Sequence, residues 1–238
     1  MKLLIVGLGS MGKRRARLAK GMDSSLAIVG VDSADARRAE ATELGLAENA
    51  WASIGEAVEA ARPDAALVCT APLSHAGIIG ELLDHDLPVF TELNLVRDGY
   101  AENMAKAAEK HLPLFLSSTM LYRRETQYIK QAVQQFGKPV HYLYHIGQYL
   151  PDWHPWENYK NFFVGNARTG GVREIFGIDL PWLLDAFGAV ESMTVQTDSI
   201  SGLGLPYPDC ATLLLRHKSG AQGVLAADVV SPQARAQL

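Results

Sequence analysis

Short apolar runs alternate with helix-forming segments along the first half of the chain. Several of these runs are continuously apolar, as in Ala65 to Cys69, which is typical of strands buried on both faces of a sheet. Strands that alternate with helical crossovers predict a doubly wound parallel sheet with ligands outside the carboxyl ends of its strands. The predicted strands are 3–6, 26–31, 65–69, 88–91 and 114–117, and the predicted helices are 13–20, 34–44, 54–61, 74–85 and 100–111.

The second half has a different pattern, which predicts a smaller α+β domain with a mostly antiparallel open sheet. Val140 to Tyr149 alternates polar and aromatic positions like a strand, and Gly171 to Phe187 predicts one helix interrupted near Pro181. We therefore expect an α/β fold with a dinucleotide-binding domain at 1–122 and a substrate or oligomerisation domain at 123–238. Further predicted elements are a helix at 125–136, strands at 192–196, 212–217 and 223–228, and a hairpin turn at 218–220.

A glycine motif stands where the first strand meets the first helix. Gly7 allows a tight turn, Gly9 lets a pyrophosphate approach the backbone, and Gly12 lets the helix pack against the strand. The free N–H groups at the helix start, at Ser10 and Met11, and the positive end of the helix dipole favour phosphate. Strand, turn and helix in this order predict a dinucleotide site.

An acidic residue follows the second predicted strand. Asp32 lies 20 positions after Gly12, where a carboxylate accepts hydrogen bonds from ribose hydroxyls and repels a 2'-phosphate. The predicted cofactor is therefore NAD rather than NADP. Arg37 and Arg38 follow, and they are either partners for a 2'-phosphate or solvated helix residues.

Polar and small residues follow the later predicted strands and belong to the same expected site. Because the carboxyl ends of parallel strands meet at one edge of a sheet, these residues should face the cleft next to Gly9. His75 is the ambiguous member, since it is either a satisfied histidine at a helix start or a ligand contact. The predicted cofactor-binding residues beyond the glycine motif and Asp32 are Thr70, Ala71, Pro72, His75, Glu92 and Asn94.

Composition limits the class of protein. The 238 residues carry a net charge of −4 and are 48% hydrophobic, with no basic excess to suggest nucleic acid and no run of membrane-spanning length. The two cysteines, Cys69 and Cys210, form no disulfide or thiolate metal pattern, which favours a cytoplasmic protein. An open sheet needs one face covered, so a homodimer or tetramer through the second domain is expected.

The segment Tyr149 to Tyr159 is rich in aromatic residues. Trp153 and Trp156 offer faces that stack on sugar rings, and His154 and Glu157 offer hydrogen bonds to hydroxyls. The alternative is that the two tryptophans only fill space between domains. His154 and Glu157 have no third ligand nearby in sequence, so no metal site is predicted.

These residues resemble the Gfo/Idh/MocA family of NAD(P)-dependent oxidoreductases, which includes glucose-fructose oxidoreductase and inositol dehydrogenase. The segments 7–15 and Gln148 to Glu157 are similar to a branch associated with surface-polysaccharide sugars. The segment 63–75, with its Pro72 and His75, resembles the family's fourth-strand signature, whose loop lies beside the nicotinamide. The resemblance covers residue 1 to about 230, and the second domain is shorter than is usual in the family. It implies hydride transfer between a nicotinamide cofactor and a sugar hydroxyl or carbonyl.

Two positions depart from the family pattern. The lysine of the family's Glu-Lys-Pro motif corresponds to Leu93, and the catalytic histidine after the family's double glycine corresponds to Ile178 or Asp179. Leucine and isoleucine cannot transfer a proton. Asp179 is the candidate base if burial raises its pKa, and it would work with His154 or Tyr149. The alternative is that Asp179 is a helix residue that pairs with Arg173 or another cation. Arg173 is also a candidate substrate contact.

Two functions follow from these residues. The first is an NAD-dependent oxidoreductase that acts on a sugar-like substrate with altered catalytic residues. The second is a catalytically altered or inactive nucleotide-binding homologue that acts as a sensor or assembly partner, which the substitution at Leu93 keeps open.

Overall fold

The computed structural model describes residues 1–238 and divides them into two compact units, 1–117 and 118–238. The predicted domain boundary, between residues 122 and 123, lies slightly further along the chain, and the assignment of separate roles to the two domains stays a prediction.

The first unit alternates strands and helices. Short 3-10 turns supplement them, including one at Pro72–Ser74. Its elements are β1 (Lys2–Val6), α1 (Ser10–Met22), β2 (Ala27–Val31), α2 (Asp35–Glu43), β3 (Ala50–Trp51), α3 (Ile54–Ala61), β4 (Ala65–Val68), α4 (His75–Asp84), β5 (Val89–Thr91), α5 (Tyr100–Glu109) and β6 (Leu114–Leu116).

The six strands form one parallel sheet in the order β3-β2-β1-β4-β5-β6. This confirms the predicted doubly wound sheet, with the topological switch between β1 and β4. Leu4 and Ile5 are both fully buried but belong to separate apolar clusters, because successive side chains of a strand point to opposite faces. Strand β3 was not predicted, since two residues carry no periodicity.

The second unit contains a mixed sheet and two long helices. Short 3-10 turns occupy Thr119–Tyr122, Leu150–Asp152, Tyr159–Asn161 and Phe163–Gly165. The main elements are α6 (Arg124–Phe136), β7 (His141–Gly147), α7 (Gly171–Phe187), β8 (Val190–Asp198), β9 (Cys210–His217), β10 (Gln222–Asp228) and β11 (Arg235–Gln237).

The sheet has the order β11-β7-β10-β9-β8, and every pairing is antiparallel except β7 with β10. The mostly antiparallel sheet is therefore confirmed. In β7, Tyr142 and Tyr144 are buried while Leu143 is 61% exposed, which is the alternation that the sequence predicts. Gly220, with φ +87°, closes the predicted hairpin turn by donating its N–H to the carbonyl of His217 over 2.9 Å.

The expectation that the helix after the double glycine is interrupted near Pro181 is wrong. Helix α7 runs unbroken from Gly171 to Phe187 with Pro181 inside it. Proline removes one backbone donor. Helix α7 nevertheless buries Trp182, Leu183 and Phe187 in the same core as the inner face of the sheet, and this packing offsets the lost hydrogen bond.

None of the seven α-helices combines the length and the apolar content that crossing a bilayer requires.

Candidate functional site

The glycine turn after β1 has the backbone that the motif demands. Gly7 has φ +93°, and a Cβ there would lie 2.8 Å from the carbonyl carbon of Cys69 at the end of β4. A Cβ on Gly12 would lie 1.9 Å from the Gly7 carbonyl oxygen, so α1 approaches the turn more closely than any side chain allows. A Cβ on Gly9 would meet nothing within 4 Å, so the space above Gly9 is open to a ligand.

Helix α1 begins without a capping side chain. Gly9 is its N-cap residue, no side chain bonds to the first turn, and no acidic residue lies there. The first N–H groups and the positive dipole end thus remain available to an anion. Ser10 and Met11 stand exposed at this end of the helix, where they were predicted to contact the cofactor.

Asp32 lies against the glycine turn and is 6% exposed. Its Oδ2 accepts the backbone N–H of Leu8 and its Oδ1 accepts the backbone N–H of Ala34, both over 2.9 Å. Each carboxylate oxygen has a second lone pair, so hydrogen bonds from ribose hydroxyls remain possible. Nη1 of Arg37 lies 3.7 Å from Oδ2, whereas Arg38 donates to the Asp32 carbonyl over 2.7 Å.

His75 joins the segments that follow β4 and β5. It is 2% exposed, and its Nε2 lies 2.9 Å from the Thr70 carbonyl oxygen while its Nδ1 lies 2.7 Å from Oδ1 of Asn94. Both ring nitrogens are therefore occupied within the protein. His75 holds two predicted cofactor-binding residues in place, and its own contact with a cofactor stays a prediction. Ala71 and Pro72 lie in the segment between Thr70 and His75.

Glu92 is paired with a cation of α1. Nε of Arg15 donates to Oε1 of Glu92, and Nη2 of Arg15 donates to Ser117 Oγ over 3.0 Å. The hydrogen bond to Glu92 raises the pKa of Arg15. This pair fixes the end of β5, and Leu93 follows it as a partly exposed apolar residue where the family resemblance implies lysine.

The second unit contains a cavity of about 520 Å³ beside α7 and the end of β7. A cavity of this size is large enough for a monosaccharide-sized ligand. Its wall is mostly apolar with a few polar groups; it is formed by Ile146, Gly147, Gln148, Trp153, Glu174, Ile175, Ile178, Asp179, Ala234, Arg235 and Ala236.

Asp179 is the most buried polar group of this wall, at 1% exposure. Its Oδ1 accepts the hydroxyl of Tyr144 over 2.7 Å and the indole N–H of Trp182 over 2.9 Å. Its Oδ2 is buried and has no partner. Burial raises the pKa of Asp179, although these two hydrogen bonds oppose the shift. These partners are neutral groups, so the predicted alternative of a pair with Arg173 is not what holds Asp179.

Two further polar atoms of this wall are buried without a partner, Oε2 of Glu174 and Nε1 of Trp153. Burial raises the pKa of Glu174 to about 7. The wall thus presents two acceptor atoms and one donor atom that nothing in the protein satisfies. Such atoms are costly unless a ligand or water pairs with them.

The other predicted substrate and catalytic residues of this unit lie outside the cavity wall. Tyr149 is 37% exposed and Trp156 is 75% exposed. The ring of His154 packs edge-on against Trp156 and Phe162, with centroid distances of 5.2 and 4.9 Å. Arg173 is exposed. Their roles stay predictions. Asp179 and Trp153 both line the cavity, whereas the predicted partners of Asp179, His154 and Tyr149, do not.

Sequence reasoning did not single out Glu174 or Gln148. The available signal for Glu174 was its place three residues after the double glycine, on the same helix as Asp179. Nothing in the spacing indicated that the end of β7 forms the same wall. The structure contains no group of three or more His, Cys, Asp or Glu side chains suited to a metal ion.

The residues of the first unit fit a dinucleotide. The open space above Gly9, the uncapped start of α1 and the carboxylate of Asp32 provide the contacts that a pyrophosphate and a ribose require. The second glycine has room for a ligand, while the first and third have room for no side chain.

Comparisons with solved structures find the same fold in known proteins. The chain is similar over 98% of its length to the WlbA dehydrogenase of Chromobacterium violaceum in complex with NADH and UDP-GlcNAcA, with a TM-score of 0.82, 18% identity and 68% of that chain covered. It is similar over 99% of its length to scyllo-inositol dehydrogenase from Lactobacillus casei, with a TM-score of 0.79, 16% identity and 70% of that chain covered.

A third solved structure is an oxidoreductase from Agrobacterium radiobacter in complex with NAD⁺, L-tartaric acid and magnesium; the TM-score is 0.81, the identity is 16%, and 99% of this chain and 68% of that chain are covered. At these identities the likeness shows the fold. A comparison with curated protein sequences finds no match.

The model of the oxidoreductase family with an NAD-binding Rossmann fold matches residues 1–119. That match covers the whole glycine turn, Asp32, and the segments that contain Thr70 and Glu92. The chain therefore belongs to the Gfo/Idh/MocA family of NAD-binding oxidoreductases.

Proposed function

We propose that this protein is an NAD-dependent oxidoreductase that interconverts a hydroxyl and a carbonyl group on a sugar-like substrate, which the cavity of the second unit holds. The observation that carries the proposal is Oδ2 of Asp179, a fully buried carboxylate oxygen without a partner in the wall of that cavity. A proton acceptor of this kind is what oxidation of an alcohol needs.

The nicotinamide supplies the acceptor or donor of hydride. Asp179 takes the hydroxyl proton on Oδ2 during oxidation and returns it during reduction. Its Oδ1 is fixed by Tyr144 and Trp182, so the carboxylate is oriented before the substrate arrives. The raised pKa makes Asp179 a stronger base than a solvated aspartate, and the free N–H of Trp153 donates to a substrate oxygen.

The substrate class is supported by the mixture of apolar wall and unpaired polar atoms. A ring with several hydroxyls presents an apolar face and both donors and acceptors. The names of two structural neighbours, which refer to UDP-GlcNAcA and scyllo-inositol, point to the same class.

The test separates cofactor binding from turnover. Titration with NADH, followed by quenching of tryptophan fluorescence, measures the first step, and turnover with NAD⁺ on a panel of sugars and cyclitols measures the second. Asp179→Asn should retain NADH affinity and lose about 10²-fold or more in turnover. Asp185→Asn is the matched control, since Asp185 lies on the same helix and pairs with Lys130 at the surface over 2.8 Å.

Retained turnover in Asp179→Asn would remove Asp179 from the reaction. Tight NADH binding without turnover across the whole panel would favour the nucleotide-binding homologue without catalysis.

We further propose that the protein is cytoplasmic and that its copies associate as a dimer or tetramer through the outer face of the second sheet. Leu143 on β7 and Leu214 on β9 are 61% and 54% exposed on that face. The two cysteines are free, as is usual in a cytoplasmic protein. Light scattering of the wild type and of Leu214→Asp tests the association, and a monomeric wild type would contradict it.

A further inference from the structure

The cavity of the second unit contains two acids and no neutralising partner for either. Glu174 and Asp179 both lie on α7, both line the cavity, and each has one carboxylate oxygen that is buried and unpaired. Asp179 is 1% exposed, so this oxygen is satisfied only by something that enters the cavity.

No cation contributes to the pKa of either acid. Desolvation alone raises the pKa of Glu174, and the only other groups acting on Asp179 are the neutral Tyr144 and Trp182. Arg235 is the one cation among the lining residues, and it is exposed to solvent.

Tyr207 is close enough to Glu174 for their charges to interact. The charge of Glu174 contributes to the raised pKa of Tyr207, but the Tyr207 hydroxyl donates to the Val164 carbonyl over 2.6 Å and is not available to the carboxylate. Glu174 therefore has no donor of its own within the protein.

We propose that this cavity selects a ligand with a protonated amine, such as an amino-substituted sugar or cyclitol, and that Glu174 is the counter-ion of the ammonium group. The proposal rests on the proposed function, in which the cavity holds the substrate. Glu174 determines specificity, while Asp179 accepts the proton of the reacting hydroxyl.

An ammonium group fits better than the alternatives because of charge. A charge-assisted hydrogen bond between ammonium and carboxylate is about twice as strong as a neutral one, and low-dielectric surroundings increase the difference. A neutral hydroxyl of the ligand leaves Glu174 protonated. The Glu174 carboxyl then offers the ligand a hydrogen-bond donor in place of an acceptor. A ligand carboxylate meets two buried or half-buried acids, which repel it, and Arg235, the one cation of the wall, is exposed to solvent, which weakens its attraction.

The experiment is calorimetry of the full chain without cofactor, using three ring compounds that differ in charge. Glucosamine carries the ammonium group, N-acetylglucosamine is its neutral amide, and glucuronate is anionic. We expect glucosamine to bind about tenfold or more tightly than either of the others. Its affinity should rise between about pH 5.5 and pH 7, as Glu174 loses its proton, while that of N-acetylglucosamine stays flat.

Glu174→Gln should reduce the affinity for glucosamine to that for N-acetylglucosamine, since the amide keeps the shape and removes the charge. Glu191→Gln is the matched control, because Glu191 is an exposed glutamate of the same unit outside the cavity wall.

NADH binding on the same preparations separates the two proposals. If the wild type does not bind NADH, the proposed function is contradicted. Intact NADH binding with no preference for glucosamine, or with glucuronate bound most tightly, overturns the amine assignment. A preference that persists in Glu174→Gln also overturns the role of Glu174.

Discussion

The backbone N–H of Leu8 donates to Oδ2 of Asp32 over 2.9 Å, so the acid that is predicted to read the ribose also holds the glycine turn. The side chain of Asp32 is nearly buried, and its other oxygen accepts the N–H of Ala34. One carboxylate therefore links the end of β2 to the turn after β1. This relationship predicts that cofactor choice and stability change together when Asp32 is altered.

Asp32→Asn should weaken NADH binding about tenfold or more and reduce the discrimination against NADPH, because a charged acceptor for ribose hydroxyls is lost. The free energy of unfolding should fall by about 1–2 kcal/mol, since the amide accepts at only one of the two sites. Fluorescence titration with both cofactors and urea unfolding measure these effects. Asp35→Asn, at an exposed acid paired with Arg38, is the control; unchanged selectivity in Asp32→Asn would show that Asp32 does not read the ribose.

Adding a side chain at Gly9 should reduce cofactor affinity without reducing stability, whereas adding one at Gly12 should reduce stability. A Cβ at Gly9 meets no atom within 4 Å, so we expect Gly9→Val to keep stability within about 0.5 kcal/mol of the wild type and to lose about tenfold or more in NADH affinity. Gly12→Ala places a Cβ 1.9 Å from the Gly7 carbonyl oxygen and should cost about 3 kcal/mol.

Thermal unfolding and NADH titration of the two variants test this contrast. Gly21→Ala serves as the control for replacing a glycine of α1 where there is open space. If Gly9→Val binds NADH normally, the assignment of the phosphate to this turn fails.

The first unit was predictable from the sequence because its information is local. The apolar runs of β1 and β4 lie a few residues from their glycine and threonine turns, and the topology then follows from the parallel crossovers. Asp32 was found for the same reason, since it stands at a fixed distance from Gly12. The interruption of α7 was predicted wrongly because tertiary packing of Trp182 and Phe187 offsets the bond that Pro181 removes.

The cavity was only partly predictable. Trp153 drew attention by its residue type and Asp179 by its position after the double glycine. The wall also needs Gln148 and Arg235, which are brought together by the pairing of β11 with β7. Strand β11 is short, polar and exposed, so it carries no hydrophobic pattern. Residues that meet only through such long-range pairing leave no signal in one sequence.

Glu174 should make the protein less stable as pH rises. Its pKa is about 7 in the folded protein against 4.5 for the unfolded chain, so the native state binds more protons between these values. The stability penalty is absent below about pH 4.5 and complete above about pH 7, where it reaches up to about 3 kcal/mol.

Urea unfolding of the wild type and of Glu174→Gln across this range measures the penalty. We expect the free energy of unfolding of Glu174→Gln to rise steadily relative to that of the wild type from pH 4.5 to pH 7, and that of Glu191→Gln to follow the wild type. A constant difference between Glu174→Gln and the wild type would mean that Glu174 titrates normally in the folded state.

Leu93 stands at the position where the family has a lysine. Restoring that lysine tests whether Asp179 transfers the proton alone or needs a second proton donor. Leu93 is partly exposed next to the fixed pair of Glu92 and Arg15, so a lysine there can keep its ammonium group in water and should leave stability and NADH affinity nearly unchanged. If a second proton donor is what the chain lacks, Leu93→Lys should raise turnover by about tenfold to a hundredfold on substrates that the wild type already uses, while Leu93→Met should not.

Loss of NADH affinity in Leu93→Lys alone would mean that the site excludes a cation. Unchanged turnover with intact NADH binding would mean that Asp179 already meets the need for proton transfer, and the double variant Leu93→Lys with Asp179→Asn would then be as inactive as Asp179→Asn.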